Sequence, residues 1–300
     1  MHVLIAALLV QYVVSVKAGL VNHVQGSANV ASMQTVKAGQ PIKTGGDGYV
    51  EILLRPGSFL RLGEDSEATL DDTDLATVKV TIVRGPALIE AAELSKDHPI
   101  TVTTGNLTTK IRSSGIYRFE NGTATVLQGK LQTEDSNLTY EKGWQVFFKD
   151  NYRARKTDFV SRTSLDGYSE SRSGIIAGAN VSMLSTIGPA VFSTADIWLF
   201  SPNVGLYTYI PRSDYRSPYG SRYYGHENRT GRNYYGSDNT SGTTSSAANT
   251  TTRTPSDNSS NSGGGVAAAP APTASTPAGE VSTPAVYIES KSAPVGATTK

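Results

Sequence analysis

The amino-acid sequence predicts a mainly β fold: a twisted, β-solenoid-like or rolled-sheet domain, then a short helical segment, then a disordered tail. Three observations carry this. From Gly19 onward, short runs alternate apolar and polar residues, the period of a strand with one buried face. Turn clusters such as Gly45-Gly46-Asp47-Gly48 and Arg55-Pro56-Gly57-Ser58 separate those runs. Past about Pro211, aliphatic residues nearly vanish.

Val3 to Val16 is almost wholly apolar, and Val16-Lys17-Ala18 precedes Gly19. This pattern suits a signal peptide, residues 1–18, cleaved after Ala18, and so a periplasmic or secreted protein. The n-region, Met1-His2, carries no Lys or Arg, and the other reading of the segment is a buried strand. The run is short for a bilayer span, which needs about 20 apolar residues, so no stable membrane span is expected after cleavage.

Residues 19–150 are expected to form the β domain. Val24-Gln25-Gly26-Ser27-Ala28-Asn29-Val30 alternates, and Val50–Leu54 and Phe59–Leu62 read as a hairpin about the Pro-Gly turn. Further strands are expected over Lys79–Ala92, Ile100–Thr104, Ile116–Glu120, Thr123–Leu131 and Gly143–Phe148. A short unit recurs around Gly26, Gly85 and Gly129, with an aliphatic residue two before the glycine and an apolar residue two after. Glycine there can take φ > 0 or admit a second backbone, so the unit reads as strand–bend–strand.

Residues 151–211 are expected to be a helix plus short strands packing on or after that domain. From Ser161 to about Leu184 the period lengthens, and Leu165, Tyr168, Ile175, Ile176 and Ala179 can share part of one helical surface. Ser164 followed by Gly167 is an imperfect capping signal. Trp198–Pro202 and Leu206–Pro211 read as strands flanking a Pro-Asn turn. Residues 212–300 are expected to lose order: a Tyr/Arg/Gly segment, then a Ser/Thr/Pro/Ala-rich tail too polar to offset chain entropy by burial.

Composition excludes several chemistries. There are no cysteines, hence no disulfides, thiolate nucleophiles or Cys-ligated metals. Net charge is +1, which gives no electrostatic basis for nucleic-acid binding. His2, His23, His98 and His226 lack metal-ligand spacing, and neither a phosphate loop nor a nucleophile–base pairing is visible, so no catalysis and no cofactor are expected. Glu64-Asp65-Ser66-Glu67 with Asp71-Asp72-Thr73-Asp74 could hold calcium but lacks the EF-hand spacing, and reads rather as a solvated loop between strands. Trp144, Phe147 and Phe148 could form a platform for a sugar or peptide, or simply close the domain. Asn-x-Ser/Thr sequons such as Asn106 and Asn121 arise readily by chance in so Asn/Ser/Thr-rich a chain.

Residues Gly19 to Gln132 resemble the FecR family. The resemblance rests on Val36-Lys37-Ala38-Gly39-Gln40-Pro41-Ile42-Lys43-Thr44-Gly45, then Val50-Glu51-Ile52-Leu53-Leu54-Arg55-Pro56-Gly57-Ser58-Phe59-Leu60-Arg61-Leu62-Gly63. It continues in Val83–Glu90 and Val126–Lys130. Gly26, Gly39, Gly45, Gly57, Leu60, Leu62, Gly85 and Gly129 are the structural positions of the motif. The resemblance implies an extracytoplasmic, non-catalytic binding domain of twisted, solenoid-like β fold. In the best-known members it relays the state of an outer-membrane receptor to a sigma factor. This chain is similar to such domains in a free-standing form, without the anti-sigma segment. A protein partner in the cell envelope is therefore expected, with a glycan or wall polymer as a second candidate. A structural or adhesive cell-surface protein with a spacer tail is the alternative.

Overall fold

The computed structural model describes residues 17–92, 97–148, 153–157, 160–186 and 196–225, all in one unit of the fold. Two sheets dominate them. The first, of eight strands, has the order β1 (Val21–Gln25), β3 (Tyr49–Leu53), β4 (Phe59–Leu62), β7 (Ala87–Ala91), β10 (Gly115–Glu120), β11 (Thr123–Gln128), β14 (Trp144–Phe147), β15 (Arg153–Lys156). The second, of seven strands, runs β2 (Ile42–Lys43), β5 (Glu67–Asp72), β6 (Lys79–Arg84), β8 (Ile100–Thr104), β9 (Leu107–Ile111), β12 (Lys130–Thr133), β13 (Thr139–Glu141).

Each sheet is laid down in chain order, and the chain passes back and forth between them as it advances. A stack of parallel coils, as in a β-solenoid, is not what the pairing shows. Among the described residues every neighbouring pair is antiparallel except β6–β8. The result is two facing sheets around one core, in which Val50, Leu60, Ile89 and Phe119 of the first meet Leu70, Ile82, Val102 and Leu131 of the second. Alternation is clean on the second sheet: β8 and β9 each read buried, half-buried, buried, half-buried, buried. Asn121-Gly122 joins β10 to β11 with φ of 47° and 74°, the two positive values that a type I′ hairpin turn requires.

The recurring glycines are the corners of this path. Gly26 follows β1 as the chain leaves the first sheet, Gly85 stands between β6 and β7, and Gly129 stands alone between β11 and β12. All three have positive φ, 66°, 72° and 96°.

On the first sheet, β3, β4 and β7 are buried along their whole length, on both faces. Their outer face lies under α1 (Ser164–Thr186) and two hairpins, β16 (Ile197–Ser201) with β17 (Leu206–Ile210), and β18 (Tyr215–Arg216) with β19 (Arg222–Tyr223). Thr163 and Asp166 cap the helix reciprocally: the Thr163 N–H donates to Asp166 Oδ2 at 2.6 Å and the Asp166 N–H to Thr163 Oγ1 at 3.4 Å. The capping box thus begins one residue before Ser164. Thr163→Ala is expected to lower stability by about 1 kcal/mol, read from thermal unfolding of the full chain.

Several expectations change. Ile175 is 42% exposed, whereas Leu165, Ile176 and Ala179 are buried. The buried face of α1 includes Ser169, Arg172, Ser173 and Asn180, so apolar spacing alone misplaces it. The first sheet continues past residue 150 into β15. Order does not fade at Arg212: Tyr215 and Tyr223 pack against Tyr209, with ring centroids 5.9 and 5.7 Å away, and Trp198 lies 6.1 Å from Tyr209. Aromatics spread among Gly, Ser and Arg in sequence are gathered into one cluster by the hairpins. The expected tail from 226 on, with Tyr234 and Tyr235, and residues 1–16 of the expected signal peptide lie outside the described residues. Ala18 is within them, buried, with its N–H donating to the Thr73 carbonyl at 2.8 Å.

Candidate functional site

The feature that sets the first sheet apart is charge inside it. Val50, Ile52, Leu60, Leu62, Ile89 and Ala91 point into the core between the sheets. Strand alternation therefore turns Glu51, Arg61 and Glu90 to the opposite face, where all three are buried. Glu51 and Arg61 are direct cross-strand partners. Arg61 Nε donates to Glu51 Oε2 at 2.9 Å, and its Nη1 donates to Glu90 Oε2 at 2.7 Å and to Ser169 Oγ at 2.6 Å. Arg172 Nη2 donates to Glu51 Oε1 at 2.8 Å, and Ser173 Oγ to Glu90 Oε1 at 2.9 Å. Ser169, Arg172 and Ser173 lie three and four apart on α1, so one helical face delivers all three.

A bulge between Val21 and His23 leaves Asn22 out of the ladder. Its amide donates to Glu51 Oε1 at 2.9 Å and to the Tyr207 carbonyl at 3.1 Å, and its oxygen accepts the Tyr207 N–H at 2.7 Å. Asn180 bridges the first hairpin to the chain just after β19, donating to the carbonyls of Tyr209 and Tyr224 and accepting the Tyr224 N–H. Two carboxylates and two guanidiniums thus balance in a buried interface that ties sheet, helix and hairpins together.

The two carboxylates differ. Burial opposes ionisation of Glu51, but the Arg61 and Arg172 guanidiniums outweigh it and hold the group below its usual range. Glu90 faces the same burial with Arg61 and the Ser173 hydroxyl for support, and its carboxyl is pushed up. Burial also raises Tyr219, to about 12. Beside the network, His23 Nδ1 lies 3.0 Å from Tyr168 Oη. Burial and then the Arg172 charge hold its imidazolium form below the ordinary histidine value, against a smaller opposing pull from Glu51. A neutral His23 in the fold binds fewer protons than an exposed one in the unfolded chain. Stability should therefore fall as pH drops from about 7 toward about 5, and His23→Gln should flatten that slope in chemical denaturation at the two pH values.

Among the described residues no reactive constellation emerges. Glu51 and Glu90 are enclosed and engaged by arginines. Among the described residues no group of three or more His, Asp or Glu could hold a metal ion, and no helix is long and apolar enough to cross a membrane. The acidic stretch is used locally: Glu67 pairs with Lys43 and Arg84, Asp71 accepts from Thr69 and Thr81, and Asp72 from Thr77. Trp144 meets Tyr140 in a tilted ring contact, centroids 5.6 Å apart, and Tyr140 packs against the core.

The motif positions serve the framework. Leu60 and Leu62 are core residues of β4. Gly26, Gly85 and Gly129 turn the corners, Gly57 sits in the β3–β4 turn against Ala92 and Tyr209, Gly45 lies against Ser27, and Gly39 stands in open space. Sequence reasoning listed these glycines and missed the network, although Glu51, Arg61 and Glu90 stand within the quoted motif segments. The available signal was a charge flanked on both sides by apolar residues in three neighbouring strands.

Beyond α1 the outer face of the first sheet bears a polar row. Arg118, Thr125, Gln145 and Arg155 are in register across β10, β11, β14 and β15. Arg155 Nε donates to Gln145 Oε1 at 2.7 Å, and Arg118 pairs with Asp166. A cavity of about 290 Å³ lies over this row, and a second of about 210 Å³ lies between Arg118, Leu127 and the start of α1.

Residues 40–132, β2 through β12, match the family model described as "FecR protein". No curated protein matches the chain. Two crystal structures of a "putative anti-sigma factor" from Parabacteroides distasonis are similar, at 15% and 14% identity, each with a TM-score of 0.34 over 39% of this chain. The chain spans 60% of the length of those structures. The match takes in β2 through β12 of the two facing sheets, the crossing glycines Gly85 and Gly129, and the buried triad Glu51, Arg61 and Glu90: residues 40–132 are a domain of the FecR family.

Proposed function

We propose that this chain is an exported, non-catalytic binding module that holds a protein partner in the cell envelope and takes part in signalling there. The carrying observation is where its polar groups are. The charges gathered at the centre of the FecR-family sheet are engaged internally, by α1 and by one another. What faces outward is architecture for contact: terminal strands of both sheets and the polar row beside α1. Strand edges recruit extended segments by continuing the hydrogen-bond ladder.

Export rests on the apolar run Val3–Val16 and the small residues before Gly19. The test is an in-cell crosslink and pull-down of the tagged full-length protein, with its N-terminus sequenced. Capture of an envelope protein by a chain beginning at Gly19 is the expected result. Recovery of glycan or wall polymer alone would favour a structural, adhesive role instead. An uncleaved chain in the cytosolic fraction would overturn export.

A further inference from the structure

We propose that the outer edge of β15 is the docking edge, and that it takes an extended partner segment with acidic side chains at alternate positions. This rests on the binding-module reading above and names its site and the partner's chemistry. β15 closes one end of the eight-stranded order, and among the described residues it pairs with β14 alone. Its ladder fixes which amides face the opening. The Thr157 N–H donates to the Gly143 carbonyl at 2.8 Å, so by antiparallel alternation Arg155 also turns its backbone groups toward β14. Ala154 and Lys156 turn theirs to the open edge.

The charge of the strand selects the occupant. β15 reads Arg153-Ala154-Arg155-Lys156, three cations and no anion, with Arg155 and Lys156 exposed. Arg155 lies on the outer face, where it ends the row Arg118–Thr125–Gln145–Arg155. An added strand about 4.8 Å away would set its own alternate side chains directly beside that row. Opposite charges facing across strands favour pairing and like charges oppose it, so carboxylates at those positions are accepted and lysines refused. A basic edge meets Arg155 and Lys156 and is opposed by like charge, which also disfavours pairing of β15 with a second β15.

The experiment uses the full-length protein, with a photo-crosslinking residue placed at Lys156 and, as a separate variant, at Thr139 on the far sheet's terminal strand. Crosslinked peptides are identified by mass spectrometry, and backbone exchange is followed with and without the captured protein. Free protein should exchange quickly at Ala154 and Lys156 and slowly at Arg155 and Thr157. The expected result is a crosslink from position 156 to an acidic extended segment, with new protection at Ala154 and Lys156. Arg155→Glu with Lys156→Glu should reduce capture about tenfold or more, at an unchanged unfolding midpoint. A partner captured through position 139 only, or equally well by the charge-reversed chain, would overturn the β15 assignment and leave the binding-module reading standing. Failure of every position to capture a protein would overturn both.

Discussion

Arg61→Met is expected to lower folding stability by about 3–5 kcal/mol, because it strands buried carboxylate rather than removing a surface pair. Arg61 holds Glu51 at 2.9 Å and Glu90 at 2.7 Å, and all three are fully buried. Glu51 keeps Arg172 and Asn22 after the substitution, while Glu90 keeps the Ser173 hydroxyl. The burden therefore falls on Glu90, whose carboxyl already sits above its ordinary range. Adding Glu90→Met should recover a large part of the loss, since the double variant no longer buries an unpaired charge. Urea unfolding of the wild-type, single and double variants measures this. A loss under about 1 kcal/mol for Arg61→Met would mean that water reaches the interface and the network does not bind α1 to the sheet.

Gly129→Ala should be comparably damaging, by a different route. Gly129 has φ of 96°, and a Cβ added there would lie 2.1 Å from Tyr117 Oη and 2.7 Å from the Ser114 carbonyl. Tyr117 cannot move aside cheaply. It is buried in the core, its hydroxyl donates to the Ser113 carbonyl at 2.8 Å, and it accepts the Lys130 N–H at 2.9 Å. Backbone strain alone is about 1–3 kcal/mol, and the clash adds to it, so the expected loss is about 4 kcal/mol or a chain that does not fold. Gly39→Ala is the control: φ is 75°, but nothing lies within 4 Å of the added carbon. It should show the strain term only. Equal unfolding midpoints for the two variants would show that crowding at the corner is not what demands glycine.

These two residues mark how far the sequence could be read. Gly129 was legible, because the aliphatic–x–Gly–x–apolar unit repeats at Gly26 and Gly85 and a strand cannot turn sharply between two sheets without such a residue. Arg61 was legible as a motif letter but not as a buried charge. A charged residue between leucines in a strand is ordinarily read as the solvent face, and only an element covering that face reverses the reading. The same limit misplaced Ile175: the helix buries serines, an arginine and an asparagine, so its apolar pattern does not mark its buried side. It also hid the order of Tyr215 and Tyr223, whose local neighbours are those of a flexible segment.

The amino-acid sequence by itself determined strands such as β3, β4, β8, β10 and β14 and the glycine corners, because alternation and glycine conformation are local properties of a few adjacent residues. The tertiary structure alone decided that the outer face of the first sheet is closed and charged. That decision joins Arg172 to Glu51 across 121 positions and Asn22 to Tyr207 across 185, and burial of a polar group depends on partners that no local pattern contains.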